Sequence, residues 1–596
     1  MNWDQELTVS ALWLAKAYGL TCLLFVAACW GLASFTRWGR QFWALSGGYF
    51  SPRRSWRPLI GLALILLLTL AGVRLDVVLT NWSNGLYTAL QKTDEPLFWG
   101  FVRLFCLLAS IHVFRTLLNA FLSQSFGIHW REWLNEKLLH KLLQEQTYYR
   151  NQFLAQHIDN PDQRIQQDVT SFVQSSLDLS MGVVRSLVSV IAFSLILWEL
   201  SGPLTLAGFT IPHGMVFLAF AYVAVSTVFA FRIGRPLVKL NFFNEQLNAN
   251  YRYSLVRLRE YAESIAFYAG ERVEGALLRS RFGQIISNNW QIVYRTLKFQ
   301  GFNLIVSQAA VVFPLVIQAH RFFSKQITLG DLMQTSQVFG QLHDGLSFFR
   351  QAYDDFAGYR ATLERLSGLT QSADQAAALP RPNIAHDGQR LALEDFTLLS
   401  PAGVPLISAL TLDVPEGEAL LVRGRSGSGK TTLLRSLAGI WPYSRGKIIR
   451  PAEHTLFLSQ RPYLPEGSLL DALCYPATPQ PGGEARAREV LQLVQLGHLC
   501  DRLELHDNWG VILSLGEQQR LAFGRLLINQ PRIAFLDEAT SALDEGLEDA
   551  MYRLVRHQLP GTSLISVGHR STLRQHHDRE LEIGLDGRWQ SQPLLS

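Results

Sequence analysis

Gly424-Arg425-Ser426-Gly427-Ser428-Gly429-Lys430-Thr431-Thr432 is a glycine-punctuated run that ends in a lysine and two threonines. Leu420-Leu421-Val422 before it predicts a short buried strand, and Leu433, Leu434 and Leu437 after it recur at helical spacing. Between the two, Gly424, Gly427 and Gly429 let the backbone turn tightly enough for successive N–H groups to converge on an anion. Arg425, Ser426, Ser428 and Thr432 complete the cradle. Lys430 is spaced to reach the terminal phosphates of a nucleotide, Thr431 offers a hydroxyl to Mg²⁺, and the following helix adds the positive end of its dipole. A strand, a glycine loop and a helix in this order open an α/β nucleotide-binding domain.

Working outward, Ile533-Ala534-Phe535-Leu536 is an unbroken apolar run of the kind found in parallel strands buried on both faces. It delivers Asp537 and Glu538 to its carboxyl end, where open α/β sheets hold their ligands. Asp537 suits the Mg²⁺ shell, and Glu538 suits polarisation of an attacking water. An acidic pair after a strand is by itself an ordinary solvated loop. The phosphate loop upstream in the same domain favours the catalytic reading.

With these residues in view, further segments resemble the ATP-binding cassette family. Leu513-Ser514-Leu515-Gly516-Glu517-Gln518-Gln519-Arg520 is similar to that family's signature segment, which implies that Ser514, Gly516 and Glu517 meet the ATP held by the other subunit. Gln460 matches the glutamine that senses Mg²⁺ and the membrane part. Ser541-Ala542-Leu543-Asp544 resembles the D-loop, and His569 falls at the switch histidine. The resemblance covers 386–596 and implies catalytic roles for Glu538, His569 and Gln460, with Thr431, Gln460 and Asp537 as metal ligands. Two positions depart from the pattern. Leu515 stands where the family has glycine, and Ser400 stands where an aromatic ring stacks on adenine, leaving Phe396 as the substitute.

The rest of the chain is of another kind. Composition is 48% hydrophobic and 17% charged, an average that conceals an apolar first half and a polar last third. Stretches near 12–35, 58–81, 98–122, 183–201, 212–232 and 301–322 are apolar enough and long enough to cross a bilayer as helices. A seventh, about 330–350, carries Asp331, Gln334, Gln337 and Gln341, so hydropathy alone misses it. Ile327–Met333 followed by Phe339-Gly340-Gln341-Leu342 resembles the last membrane helix of the cassette exporters, whose polar residues line a central cavity. The loop 36–57 holds Arg37, Arg40, Arg53, Arg54 and Arg57, and 125–182 and 233–300 are also basic, whereas 1–11 carries acidic charge only. Seven spans with the basic loops and the nucleotide domain in the cytoplasm follow. The missing basic residue before Lys16 argues for a retained helix rather than a secretion signal, and Val26-Ala27-Ala28-Cys29 is read as helix packing rather than a lipidation box.

The expected architecture is therefore a polytopic α-helical membrane domain fused to an α/β P-loop NTPase domain. Residues 1–50 form an extra membrane helix and elbow, 51–368 a six-helix domain, 369–385 a linker and 386–596 the cassette. Most of 50–370, including Asn81-Trp82-Ser83-Asn84-Gly85-Leu86-Tyr87, Asn160-Pro161-Asp162-Gln163-Arg164-Ile165 and Glu260–Glu271, resembles subfamily D, with its peroxisomal fatty-acyl and SbmA/BacA-type transporters. The resemblance implies an ATP-driven transporter of the bacterial inner membrane that works as a homodimer. Its solute is left open between peptide, acyl or lipid and vitamin-like molecules, in either direction. The alternative is a membrane-anchored ATPase that regulates or scaffolds a partner. The segments near 162–168 and 260–270 are expected to transmit closure of the nucleotide domains.

Charge and cysteine usage narrow the partners. The net charge of +5 comes from 54 basic and 49 acidic residues without a long basic run, which argues against nucleic acid. Cys22, Cys29, Cys106, Cys474 and Cys500 form no CxxC pair and read as buried, reduced thiols. Arg74, Asp76, Arg103, His112, Arg115 and Arg185 lie in or near the spans and are candidates for solute contact because intramembrane charge is costly; the plainer alternative is mutual neutralisation of Arg74 and Asp76, or extension of Arg103 and Arg115 toward the membrane surface.

Overall fold

The computed structural model describes residues 3–154, 161–202, 204–206, 209–386, 390–452 and 454–594. Asn160, at the head of one of the segments expected to couple the two halves, lies outside them. The chain divides into two compact units, Met1–His140 with Asp159–Thr370, and Lys141–Ile158 with Gln371–Ser596.

The first unit is helical. Gln5–Phe35, Arg57–Gln91, Glu95–Phe153, Pro161–Leu200, Gly214–Glu260 and Glu271–Phe323 are long and apolar enough to span a membrane. A seventh long helix, Leu329–Ala377, is the polar one expected from the sequence. Pro58 sits in the first turn of Arg57–Gln91, where a missing N–H costs no hydrogen bond. The elbow Arg37–Ser46 is capped by the Thr36 side chain, which accepts from the Gly39 N–H. Beyond it, Tyr49 stacks on Trp130 with ring centroids 5.9 Å apart, and Phe42, Phe126 and Phe172 pack around the same indole.

The charges of this unit pair differently from expectation. Arg74 does not neutralise Asp76. Side chains two residues apart on a helix point to different sides, so Arg74 turns to the first helix. There it meets Glu6 at 2.6 Å, donates to the Ser10 hydroxyl at 3.0 Å and lies over the Trp13 ring. Asp76 instead faces Arg185 at 3.7 Å. The Arg115 guanidinium turns onto the neighbouring helix and donates to the Leu68 carbonyl at 2.9 Å. All five cysteines are free, but only Cys474 is buried, because Cys29 and Cys106 lie on outward helix faces.

The second unit is built on two sheets. In the six-stranded one the order is Trp589–Pro593, Arg579–Ile583, Ala419–Gly424, Ser563–Val567, Ile533–Asp537, Thr455–Leu458. All neighbours are parallel except the first pair. The four-stranded sheet runs Asn383–Ala385, Ser444–Ile449, Leu391–Leu399, Pro405–Val414. Thus 369–385, expected as a linker, carries the end of the long helix and an edge strand. This unit also takes Lys141–Ile158 from the first half of the chain. Phe153 packs edge-on against Trp441 at 5.1 Å and near Tyr443, while Arg150 donates to the carbonyls of Leu379 and Pro380.

Candidate functional site

Four adjacent parallel strands end on the same side of the six-stranded sheet, and each releases one piece of the site. Ala419–Gly424 leads into the glycine loop, Ser563–Val567 into His569, Ile533–Asp537 into Glu538, and Thr455–Leu458 into Gln460. Residues up to 145 positions apart in sequence are brought together by strand order alone. This carboxyl-end crevice is where such sheets bind ligands.

The loop has the form that a phosphate cradle needs. Gly427 and Gly429 have φ of 85° and 94°, a region costly for any other residue. At Gly424 an added Cβ would come within 2.4 Å of the Ile583 carbonyl oxygen. Gly429 caps the helix Lys430–Leu437, whose first N–H groups face the loop. Lys430 is folded back with its Nζ donating to the Gly424 and Arg425 carbonyls at 2.8 and 2.9 Å. Burial pushes its ammonium below the ordinary value, against the opposing pull of Glu538 and Asp537. The Ser428 hydroxyl is buried without a hydrogen-bond partner among the described residues. An orphaned hydroxyl and an inward-folded ammonium fit a polyanion.

The acidic side of the crevice is equally specific. Thr431 Oγ1 donates to Asp537 Oδ1 at 3.2 Å. Burial raises the Asp537 pKa and the neighbouring Glu538 charge adds to this, while the Thr431 bond lowers it. Glu538 is bracketed: Gln460 Nε2 donates to Oε2 at 3.1 Å, and His569 Nε2 lies 3.3 Å from Oε1. Its backbone takes φ of 48°, a left-handed conformation held by its N–H to the Val567 carbonyl at 3.0 Å. Gln460 spends its amide nitrogen on Glu538, which leaves its carbonyl oxygen, like the Thr431 hydroxyl and the Asp537 carboxylate, an oxygen donor of the kind that suits Mg²⁺.

The signature and D-loop residues are helix starts. Ser514 caps Leu515–Asn529 in a reciprocal box: its hydroxyl accepts from the Glu517 N–H, and the Glu517 carboxylate accepts from the Ser514 N–H at 2.9 Å. Burial pushes the Glu517 carboxyl up, but the Ser514 donors and nearby His498 outweigh it and hold the pKa low. Glu517 is thereby engaged in shaping the turn. Gly516 packs so that a Cβ would lie 3.3 Å from the Ala542 carbonyl. Asp544 caps Glu545–Gln558, accepting from the Leu547 N–H at 2.8 Å.

One residue passed over in the sequence ties these parts together. Gln519 is fully buried. Its Nε2 donates to the Gln460 carbonyl at 2.9 Å and to Ser541 Oγ at 3.1 Å, and its Oε1 accepts from the Ala542 N–H at 2.9 Å. A single amide therefore joins the signature helix to both neighbouring loops. The expectation for Phe396 is overturned. It is 1% exposed, inside the core beside Leu398 and Ile407, and is closed off from any base. Ser400 closes a turn, its hydroxyl accepting from the Val404 N–H at 3.1 Å.

A multi-span helical unit in the same chain as a P-loop crevice with catalytic-type carboxylates defines a class, the membrane transporters driven by a nucleotide. Comparison with known proteins agrees. The family "ABC transporter transmembrane region 2" matches residues 45–323, and "ABC transporter" matches 407–541. An ABC transporter ATP-binding protein of Haemophilus influenzae is 50% identical over 590 residues, which cover 99% of this chain and 100% of that one. The inner membrane ABC transporter ATP-binding protein YddA of Escherichia coli is 34% identical, over 85% of this chain and 90% of its own. The human lysosomal cobalamin transporter ABCD4 is 30% identical, over 78% and 81%. In structure, a bacterial Atm1-family ABC exporter with ATP bound superposes with a TM-score of 0.72 at 17% identity, over 90% and 95% of the two chains, a likeness of fold. The chain belongs to the ABC transporter family and is a half-transporter of the subfamily D type, with one membrane region and one ATPase domain. It is a multi-pass membrane protein that binds ATP and couples its hydrolysis to transport across a membrane.

Proposed function

We propose that two copies of this chain form the working transporter in the bacterial inner membrane, with their nucleotide domains in the cytoplasm, and move a solute at the expense of ATP. The chain carries one phosphate loop and one signature turn, so each ATP is held between Gly424–Thr432 of one copy and Ser514 and Gly516 of the other. Glu517 shapes that turn, and Asp544 caps the helix beside it. The observation that carries the reading is the bracketing of Glu538 by Gln460 and His569, next to Lys430, Thr431 and Asp537.

In that arrangement Lys430 neutralises charge on the β- and γ-phosphates. Glu538 orients a water and accepts its proton as the water oxygen bonds to the γ-phosphorus and the bond to the β–γ bridging oxygen breaks, giving ADP and phosphate. His569 holds the Glu538 carboxylate in place. Thr431, Asp537 and Gln460 would hold Mg²⁺, which when bound offsets negative charge on the phosphate oxygens. Gln519 passes changes at the nucleotide to the signature helix, and Phe153 against Trp441 gives the ATPase unit a lever into the chain that continues to the membrane helices.

Purified protein in sealed vesicles tests the reading. Wild-type protein is expected to hydrolyse ATP and to run as a dimer, and Glu538→Gln is expected to stop hydrolysis and solute movement together. Movement that persists in Glu538→Gln, or a strict monomer with Mg·ATP present, overturns it.

A further inference from the structure

The membrane unit holds a cavity of about 370 Å³ between the helices Arg57–Gln91 and Leu329–Ala377. Two stripes with the same helical spacing face each other across it: Asp76, Thr80 and Ser83 on one helix, Gln337, Gln341 and Asp344 on the other. Toward the ends at Gln91 and Thr328 the stripes are zipped. Asn84 Nδ2 donates to Asp331 and Gln334 at 2.9 and 2.6 Å, Gln334 Nε2 to Asn81 at 2.7 Å, and Gln337 Nε2 to Ser83 at 2.9 Å. One to two turns further along, at Gln341 and Asp344, the pairing ends and the cavity opens.

What remains unmatched there decides the occupant. Asp76 has Arg185 at 3.7 Å, so its charge is already offset. Asp344 is 81% exposed at its side chain, with only the His343 ring near it at 3.4 Å, and Gln341 has no hydrogen bond among the described residues. Asp76 and Asp344 are the only ionisable residues in the lining. An acyl chain filling this space would strip water from the exposed Asp344 carboxylate and the Gln341 amide without replacing the lost bonds, which is costly. The ring of Trp82, pinned by its N–H to the Phe101 carbonyl, stands 4.8 Å from Phe105 on the same wall and offers one flat apolar surface.

We propose that this cavity is the solute site and that it selects a small polar solute bearing a positively charged nitrogen, with Asp344 as its counter-ion, Gln341 as its hydrogen-bond partner and the amide zipper as the seal on the non-cytoplasmic side. The assignment rests on the transport reading above. A volume of this size lies in the range of ordinary small-molecule pockets, and a carboxylate on the wall attracts a cation and repels an anion.

The dansyl amides of ethylenediamine, ethanolamine and glycine test it, being matched in size and ending in an ammonium, a hydroxyl and a carboxylate. In vesicles holding the full-length protein, the ammonium probe is expected to move with ATP and to stimulate hydrolysis at least about tenfold more effectively than the other two. Asp344→Asn is expected to bring the ammonium probe down to the level of the hydroxyl probe, each measured against the variant's own basal rate. Gly340→Leu, whose Cβ meets nothing within 4 Å in the open cavity, is expected to block all three by filling the space. Equal handling of the three probes, an unchanged ammonium preference in Asp344→Asn, or movement of none of them overturns the assignment. Hydrolysis lost in Glu538→Gln under any of those outcomes leaves the ATPase reading standing, so the two failures are told apart.

Discussion

The nucleotide crevice and the membrane cavity are both polar sites, and they are made in opposite ways. The crevice is assembled from short contiguous motifs, each at the end of a strand. The cavity is assembled from side chains on two long helices some 250 positions apart, Ser83 to Gln337 and Asn84 to Gln334 among them. A site made of local motifs announces itself in sequence; one made of facing stripes does so only when the helix pairing is known. The contrast also predicts that single substitutions in the crevice act on rate, and those at the buried ion pair between membrane helices on packing.

The sharpest break of this contrast lies at Glu538. Replacing it by Gln keeps the amide within reach of Gln460 and His569 but removes the proton acceptor. Hydrolysis is expected to fall by roughly 100- to 10,000-fold, with ATP still bound, as read by equilibrium binding of a fluorescent ATP analogue beside a phosphate-release assay. A loss of binding of the same size would make Glu538 a structural residue.

The membrane unit is expected to respond through packing. Arg74 and Glu6 are buried together, with 14% and 11% of their side chains exposed. Arg74→Met strands the Glu6 carboxylate and is expected to loosen the first helix by about 3–5 kcal/mol, most of it recovered in the double variant with Glu6→Gln. Cys22, packed beside Leu66 and Leu70, reports this as faster maleimide labelling once the other four cysteines are replaced. Asp76→Asn is expected to cost under about 1 kcal/mol, because its partner Arg185 is 65% exposed. Equal effects at the two positions would dissolve the distinction between them.

The same contrast explains what was legible beforehand. Gly424 with Lys430, Asp537 with Glu538, Gln460 and His569 belong to four short motifs, each readable by itself, and the parallel strand order brings the four together. Phe396 was misread for a local reason. Leu391 and Leu393 point inward with period two, which would turn 396 outward, but Asp395 takes φ of 46° and the register shifts between Leu393 and Phe396. One bulge reverses every side chain after it. Arg74 was paired with its sequence neighbour because the true partner, Glu6, lies 68 residues away on another helix. Gln519 did leave a signal. It shares the helix face of Ala522, Phe523 and Leu526, all buried, so a glutamine stood at a core position.

Acid conditions should distinguish the ATPase unit by stability. His577 is buried, with Nδ1 donating to the Leu573 carbonyl at 2.7 Å and Nε2 accepting from the Ser566 hydroxyl at 2.8 Å. Burial drives its pKa from 6.5 down to about 4. The unfolded imidazole then takes up a proton that the folded one refuses, so the contribution is complete above pH 6.5 and is lost as pH falls toward about 4. The loss amounts to about 3 kcal/mol. His576, also lowered by burial, adds in the same direction. Denaturation midpoints at pH 7.5 and 5.0 should differ less in His577→Asn than in the wild type; an unchanged difference would move the acid sensitivity elsewhere.

Gln519 offers the most diagnostic test of how the crevice is held. Gln519→Ala removes the amide that joins the Gln460 carbonyl, the Ser541 hydroxyl and the Ala542 N–H. Each buried group left without a partner costs about 1–3 kcal/mol unless water reaches it. Gln519 touches no reacting atom, so it acts by fixing the loops that carry Gln460 and Ser541. If it is a positioning residue, kcat falls by roughly tenfold while KM for ATP stays near the wild-type value, since the phosphate loop is untouched. Gln519→Glu keeps an acceptor for Ala542 but sets a buried carboxylate oxygen against the Gln460 carbonyl, so it is expected to do no better than alanine. A fall in the folded fraction that accounts for all the lost activity would reduce Gln519 to packing alone.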